Sequence, residues 1–154
     1  MEPREARARF AAARVARLAT ADSGSRPHLV PLVFAVAGDT VYSAVDDVKP
    51  KATTRLKRLA NIAANPAVAL LVDHYEDDWA ALWWVRADGT ARLLEPDAPE
   101  AGRARALLAE RYPRYRDAPP PGVVVAVDVA RWSGWSAAGS SRGGRPAPNP
   151  GSDP

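Results

Sequence analysis

Cysteine is absent from the 154 residues, which excludes disulfides, thiolate-held zinc, iron–sulfur clusters and thiol catalysis. Histidine is nearly absent. His28 and His74 are the only two, so an imidazole-rich metal site is not expected, and a Ser/His/Asp triad would have to be built on one of this pair. Neither has a motif around it, and a lone strand histidine is read as structural. Long apolar runs are missing as well, since nothing approaches the roughly 18 residues a membrane span requires. The N-terminus interleaves Glu2 and Glu5 with Arg4, Arg7 and Arg9 and has no apolar stretch of the kind a secretion signal carries. A cytoplasmic location with no membrane partner is the resulting expectation. Acidic pairs such as Asp46-Asp47 and Glu76-Asp77-Asp78 read as solvent-facing turns, so no metal site is predicted.

What is present describes one folded unit with a polar tail. Hydrophobic residues make up 47% and charged residues 25%, as in ordinary globular domains. Residues 1–137 are read as the domain. Residues 138–154, rich in Gly, Ser, Arg and Pro, bury too little apolar surface to offset their ordering entropy and are expected to be disordered. The helical period of Ala6, Phe10 and Ala13 predicts a helix from Pro3 to about Arg17. Two further helices are expected over Lys51–Asn65, with Thr53 or Thr54 as cap and Asn65-Pro66 as stop, and over Ala98–Tyr112. Between them, strands are predicted over 18–21, 27–36, 40–45 and 67–72, over 79–86 and 90–94 as a hairpin around Asp88-Gly89, and over 123–129. Pro31 cannot donate a ladder hydrogen bond, which places it at an edge or irregular point. About six antiparallel strands with three short helices make a mainly β fold of closed or partly closed barrel type rather than a parallel βαβ fold.

The most informative stretch is Lys49-Pro50-Lys51-Ala52-Thr53-Thr54-Arg55-Leu56-Lys57-Arg58. Five cations and two hydroxyls gather here, and no acid occurs from Val48 to Val72. A helix start adds unpaired backbone N–H groups and the positive end of a dipole, so the segment is grouped as a clamp for phosphate. Arg55 and Arg58 lie three apart on one side of the helix, where two guanidinium forks can hold oxyanions. A charge run is also what a solvated helix face looks like. Nucleic-acid binding is a weaker reading, because the cations are confined to one segment and no nucleic-acid motif accompanies them.

Aromatic residues form a second cluster: Trp79, Trp83 and Trp84, then Trp132 and Trp135. Strand alternation sends Trp83 and Trp84 to opposite faces, so at least one leaves the core for a subunit contact or a ligand pocket.

These residues together resemble the pyridoxamine 5′-phosphate oxidase-like superfamily, in its actinobacterial branch of F420-dependent enzymes. The resemblance is carried by Leu18-Ala19-Thr20, Gly24, Arg26-Pro27-His28-Leu29-Val30-Pro31, Lys49-Pro50-Lys51, Arg55 to Ile62, Asn65-Pro66, Asp78-Trp79, Gly89-Thr90-Ala91 and Arg131-Trp132-Ser133-Gly134-Trp135. It implies a six-stranded split β-barrel that pairs as a homodimer, with the cofactor in the groove between subunits. It also implies that Lys49, Lys51, Thr53, Arg55 and Arg58 hold the phosphate end, Arg58 matching the basic residue that precedes Asn61. Backbone near Val30 to Leu32, with Pro31, and near Ala44 to Asp46 would flank the ring. Trp79 and Trp135 would wall the pocket, one or both from the partner subunit.

The implied activity is an oxidoreductase that moves a hydride between the deazaflavin F420 and a small, planar substrate. The alternatives are an FMN-dependent protein on the same barrel and a non-catalytic flavin- or haem-binding module. No catalytic acid–base residue is assigned; water, Tyr42 or Tyr75 is the candidate proton donor.

Overall fold

The computed structural model describes residues 1–45 and 53–139, without the side chains of residues 53–56. Helix α1 (Pro3–Ala12) begins with a proline in its first turn, where the missing N–H costs nothing. It stops at Ala12 rather than near Arg17, because Ala16–Ala21 is taken into the sheet as β1. Ala16, Leu18 and Thr20 face inward there, while Arg17 is exposed.

Strand β2 (Pro27–Leu32) returns along β1 through a turn organised by Asp22. The Asp22 carboxylate accepts the backbone N–H groups of Gly24 and Arg26, each at 2.9 Å. The Arg26 amide is the main reason that this carboxyl titrates below its ordinary range. Strands β3 (Ala35–Ala37) and β4 (Thr40–Ala44) follow as a hairpin whose turn puts Gly38 at φ 60°, a left-handed conformation that glycine adopts without strain. Helix α2 (Thr53–Ala64), strand β5 (Ala67–His74), a 3₁₀ turn (Trp79–Ala81) and strand β6 (Trp83–Leu94) come next. The chain continues through α3 (Pro99–Arg111), α4 (Pro113–Asp117) and β7 (Val124–Ser136), then a short 3₁₀ turn at Ala137–Gly139. The rest of the expected tail lies outside the described residues.

The strands form one antiparallel sheet in the order β2-β1-β5-β6-β7-β4-β3. Among the described residues, seven strands and four α-helices stand where about six strands and three helices were expected. Two local differences in strand layout offset each other in number. First, the predicted strand 27–36 breaks at Val33-Phe34, and its two halves become opposite edges of the sheet. The three steps from Leu32 to Ala35 reach at most about 11 Å, so the ends of β2 and β3 must converge and the sheet must roll, although no ladder joins those edges. Phe34 is fully buried at this corner against Phe10, ring centroids 4.9 Å apart. Second, Asp88-Gly89 is no hairpin turn. β6 runs straight through it with a bulge against β7. A side chain at Gly89 would sit 2.3 Å from the Asp128 carbonyl oxygen, so this glycine permits close strand approach rather than chain reversal.

Two apolar clusters fill the interior. Phe10, Leu18, Phe34, Val41, Leu70 and Val85 lead the larger one, inside the rolled sheet and under α1. Ala101, Ala104, Leu108, Tyr115 and Val124 seal α3 and α4 against the β3–β4 side. Each large side chain so buried contributes about 1.5 to 3 kcal/mol relative to exposure.

Candidate functional site

The basic segment leads into α2, so the placement of α2 decides what that segment serves. Asn61 and Thr20, each only 4% exposed, meet between α2 and β1, with Asn61 Nδ2 donating to Thr20 Oγ1 at 3.1 Å. A buried amide left unpaired would be costly, so this bond fixes the helix face as well as its position. Arg58, one turn earlier, is 9% exposed. The helix is anchored at its far end by Ala91 N–H donating to the Pro66 carbonyl at 2.8 Å. Across the β1–β2 ladder, Thr20 faces His28, whose Nδ1 is buried without a hydrogen-bond partner among the described residues. Thr20, His28, Asn61 and Arg58 thus form a polar lining beneath α2, where the pattern of neighbouring positions is apolar.

Of the residues expected to hold phosphate, Lys49 and Lys51 lie outside the described residues, as does Asp46. Thr53 and Arg55 belong to the first turn of α2, and their side chains are outside the description. Arg58 is the one phosphate candidate whose side-chain environment is described, and it is turned into the protein while Lys57 is exposed.

The remaining candidates sit elsewhere in the same chain. Pro31 is exposed on the edge strand β2, paired with Arg17, and the cross-strand row continues through Leu71, Arg86 and Ser133. Trp135 lies on β7 opposite Trp84 and is half-buried. Trp79, 77% exposed, follows the far end of β5 from the Asn61–Thr20 contact. At about 3.3 Å per residue, eight residues of β5 put roughly 23 Å between these two ends. One copy of the chain therefore does not bring Trp79 to the Asn61 end of α2.

Sequence reasoning missed Thr20 and His28 as members of the polar lining. The signal was present: Thr20 interrupts an inward alternation that is otherwise Ala16 and Leu18. Among the described residues no group of three or more His, Asp or Glu side chains forms a potential metal site, and no helix is long and apolar enough to cross a membrane.

The strongest ionic arrangement lies away from α2. Arg92 donates to both oxygens of Glu100, each at 2.9 Å, and its Nε reaches Asp128 at 2.6 Å. Tyr42 adds an O–H donor to Glu100 at 2.9 Å. The Arg92 guanidinium, followed by the Tyr42 hydroxyl, pulls the Glu100 carboxyl down to about 2. Arg92 also lowers Asp128, while burial is the largest cause raising Tyr42. This network ties α3 to β4, β6 and β7.

Solved structures of the same architecture are numerous but distant. A conserved hypothetical protein from Mycobacterium tuberculosis is 20% identical with a TM-score of 0.72, over 97% of this chain and 94% of that one. A FAD-binding protein from Mesorhizobium loti is 24% identical, TM-score 0.66, over 87% and 94%. HutZ, the heme storage protein of Vibrio cholerae, is 17% identical, TM-score 0.66, over 88% and 95%. At these identities they establish the fold alone. No curated protein matches. The family model for pyridoxamine 5′-phosphate oxidase, in contrast, matches residues 3–136, nearly the whole sheet and its helices, and the chain belongs to that family.

Proposed function

We propose that two copies of this chain bind an anionic, planar redox cofactor between them, with F420 as the cofactor and hydride transfer to a small planar substrate as the reaction. The observation that carries the reading is the anchoring of α2. Buried Asn61 fixes its body against β1, and in sequence the cations and hydroxyls from Lys49 to Arg55 lead into its start, where helix N–H groups and dipole favour phosphate. The donor set suits a phosphate-bearing cofactor: cations, threonine hydroxyls and backbone amides, without thiolate or clustered imidazole.

Reduced F420 supplies a hydride when bound. The protein's share is to hold the anionic end through Lys49, Lys51, Thr53, Arg55 and Arg58, and to orient the ring beside the β2 and β4 backbones. A 77% exposed Trp79 and a 67% exposed Leu29 are apolar surface that a second copy would cover. Trp79 and Trp135 would then wall the ring, one or both from the partner, while the backbone around Pro31 flanks it. FMN is the alternative cofactor on the same barrel, favoured by likeness to the FAD-binding Mesorhizobium loti protein.

Parallel titrations with F420 and FMN, followed by tryptophan fluorescence, test this. Lys51→Ala should weaken the preferred cofactor by about 10-fold or more, the loss of one charge-assisted hydrogen bond. Equal affinity in wild type and variant for both cofactors would remove the clamp.

A further inference from the structure

A cleft of about 530 Å³ opens between the end of α1, the start of β1 and the strands β5 and β6. It lies at the opposite end of β5 from the point where α2 joins it, so within one copy it is separate from the basic segment before α2. Its volume falls within the range of small-molecule sites, about 300 to 1,000 Å³. The floor is apolar, with Ala12, Ala13, Val15 and the ring of Trp83, and the charged rim holds Arg9, Arg14 and Arg17 against Asp73.

Each arginine is held in place. Arg9 lies 5.6 Å from the Trp83 ring centroid and pairs with Glu5 at 3.0 Å. Arg17 pairs with Asp73 at 3.2 Å. Arg14 stacks on Tyr112 at 4.6 Å and donates one bond, to the Arg111 carbonyl at 2.8 Å. No carboxylate among the described residues pairs with Arg14. A guanidinium has five N–H donors in a fixed fork, so Arg14 retains donors for an incoming acid. Stacking on Tyr112 also limits the ordering cost of binding.

We propose that this cleft is a second ligand site, one that takes a small planar aromatic carboxylate. The aromatic body covers Trp83 and Val15, and the carboxylate meets Arg14 and Arg17, displacing part of the Asp73 contact. Asp73 is the built-in competitor for the same guanidinium, and this gives the test its sign.

The probe is 2-naphthoate, with the uncharged 2-naphthamide as control. Binding is followed by NMR on the five indole N–H signals, Trp83 being assigned from Trp83→Phe. Naphthoate should shift the Trp83 signal at concentrations where naphthamide does not. Arg14→Gln and Arg17→Gln should each weaken it, roughly 2- to 5-fold for an exposed pair. Asp73→Asn should tighten it by a few-fold. Saturating FMN or F420 should leave the naphthoate affinity unchanged, whether or not either cofactor binds. Equal binding of acid and amide, weaker binding in Asp73→Asn, or no shift at Trp83 would each overturn the assignment. Because Arg14 also supports Tyr112, Arg17→Gln and Asp73→Asn decide the matter if Arg14→Gln fails to fold.

Discussion

Gly89 and Gly102 are the same residue in opposite situations. A Cβ at Gly89 would meet the Asp128 backbone at 2.3 Å, whereas at Gly102, exposed within α3, it would meet nothing within 4 Å. Gly89→Ala should cost about 1 to 3 kcal/mol by forcing the β6 bulge away from β7. Gly102→Ala should instead add about 0.5 to 1 kcal/mol through helix propensity and a less flexible unfolded chain. Urea unfolding of both variants measures the two signs directly. Asn61→Ala should lose about 1 to 3 kcal/mol, because it removes the amide that Thr20 receives in a buried setting. The sequence alone makes Asn61 an ordinary helix residue. Only the family resemblance draws notice to it, since a single polar residue on a helix carries no mark of whether water or another side chain will meet it.

Among the elements, α3 is held to the sheet by charge and α1 by carbonyl capture. Arg111 donates to Ala11 and Ala13 carbonyls at 2.8 and 2.6 Å, a positive group where the α1 dipole ends. Its guanidinium also lies 5.2 Å from the Phe34 ring centroid, so one residue joins α1, α3 and the corner between β2 and β3. Arg111→Met should lower stability by about 1 to 3 kcal/mol in urea titrations. The Arg92–Glu100 pair gives a pH signature. Glu100 titrates near 2 in the folded chain against its ordinary 4.5, so its stabilisation is full above the ordinary value and is lost as pH falls towards 2. Asp128 is shifted in the same direction. Thermal midpoints should therefore fall less steeply over this acid range in Arg92→Met than in the wild type, and parallel curves would contradict the linkage.

Elements were legible where local pattern and final structure agree. The predicted helix 51–65 appears as Thr53–Ala64, closed by Asn65-Pro66, and the predicted helix 98–112 appears as Pro99–Arg111. Where they part, the cause is tertiary. Asp-Gly has the chemistry of a tight hairpin turn, but at 88–89 two long neighbouring strands, β5 and β7, pair on either side and keep β6 extended. Val33-Phe34 has no turn residue at all. Its break is imposed by rolling the sheet, with the Phe34 amide donating to the Tyr112 hydroxyl at 3.2 Å in place of a ladder bond.

For the whole molecule, the decisive fact is that anchored α2 and the exposed tryptophan sit at different ends of one sheet. A site that uses both draws on two copies. Leu29→Glu, placed at a 67% exposed position, should leave each barrel folded yet shift a dimer to monomer in sedimentation equilibrium, weakening cofactor binding with it. A dimer that persists would move the interface elsewhere. The family and the rolled sheet were readable from residue order and spacing, because apolar alternation and the α2 stop signals are local. The proposed roles of Trp79 and Trp135 as pocket walls rest on the family resemblance instead, since a contact between copies would leave no periodic trace in a single chain.

Calorimetry isolates the part played by phosphate by comparing each cofactor with its phosphate-free core: FMN against riboflavin, and F420 against the bare deazaflavin ring with its ribityl chain. Two charge-assisted bonds to phosphate correspond to about 3 to 6 kcal/mol, so the preferred cofactor should bind at least ~100-fold more tightly than its core. Equal affinities for cofactor and core would mean that the cations leading into α2 do not hold the anion, and would contradict the account.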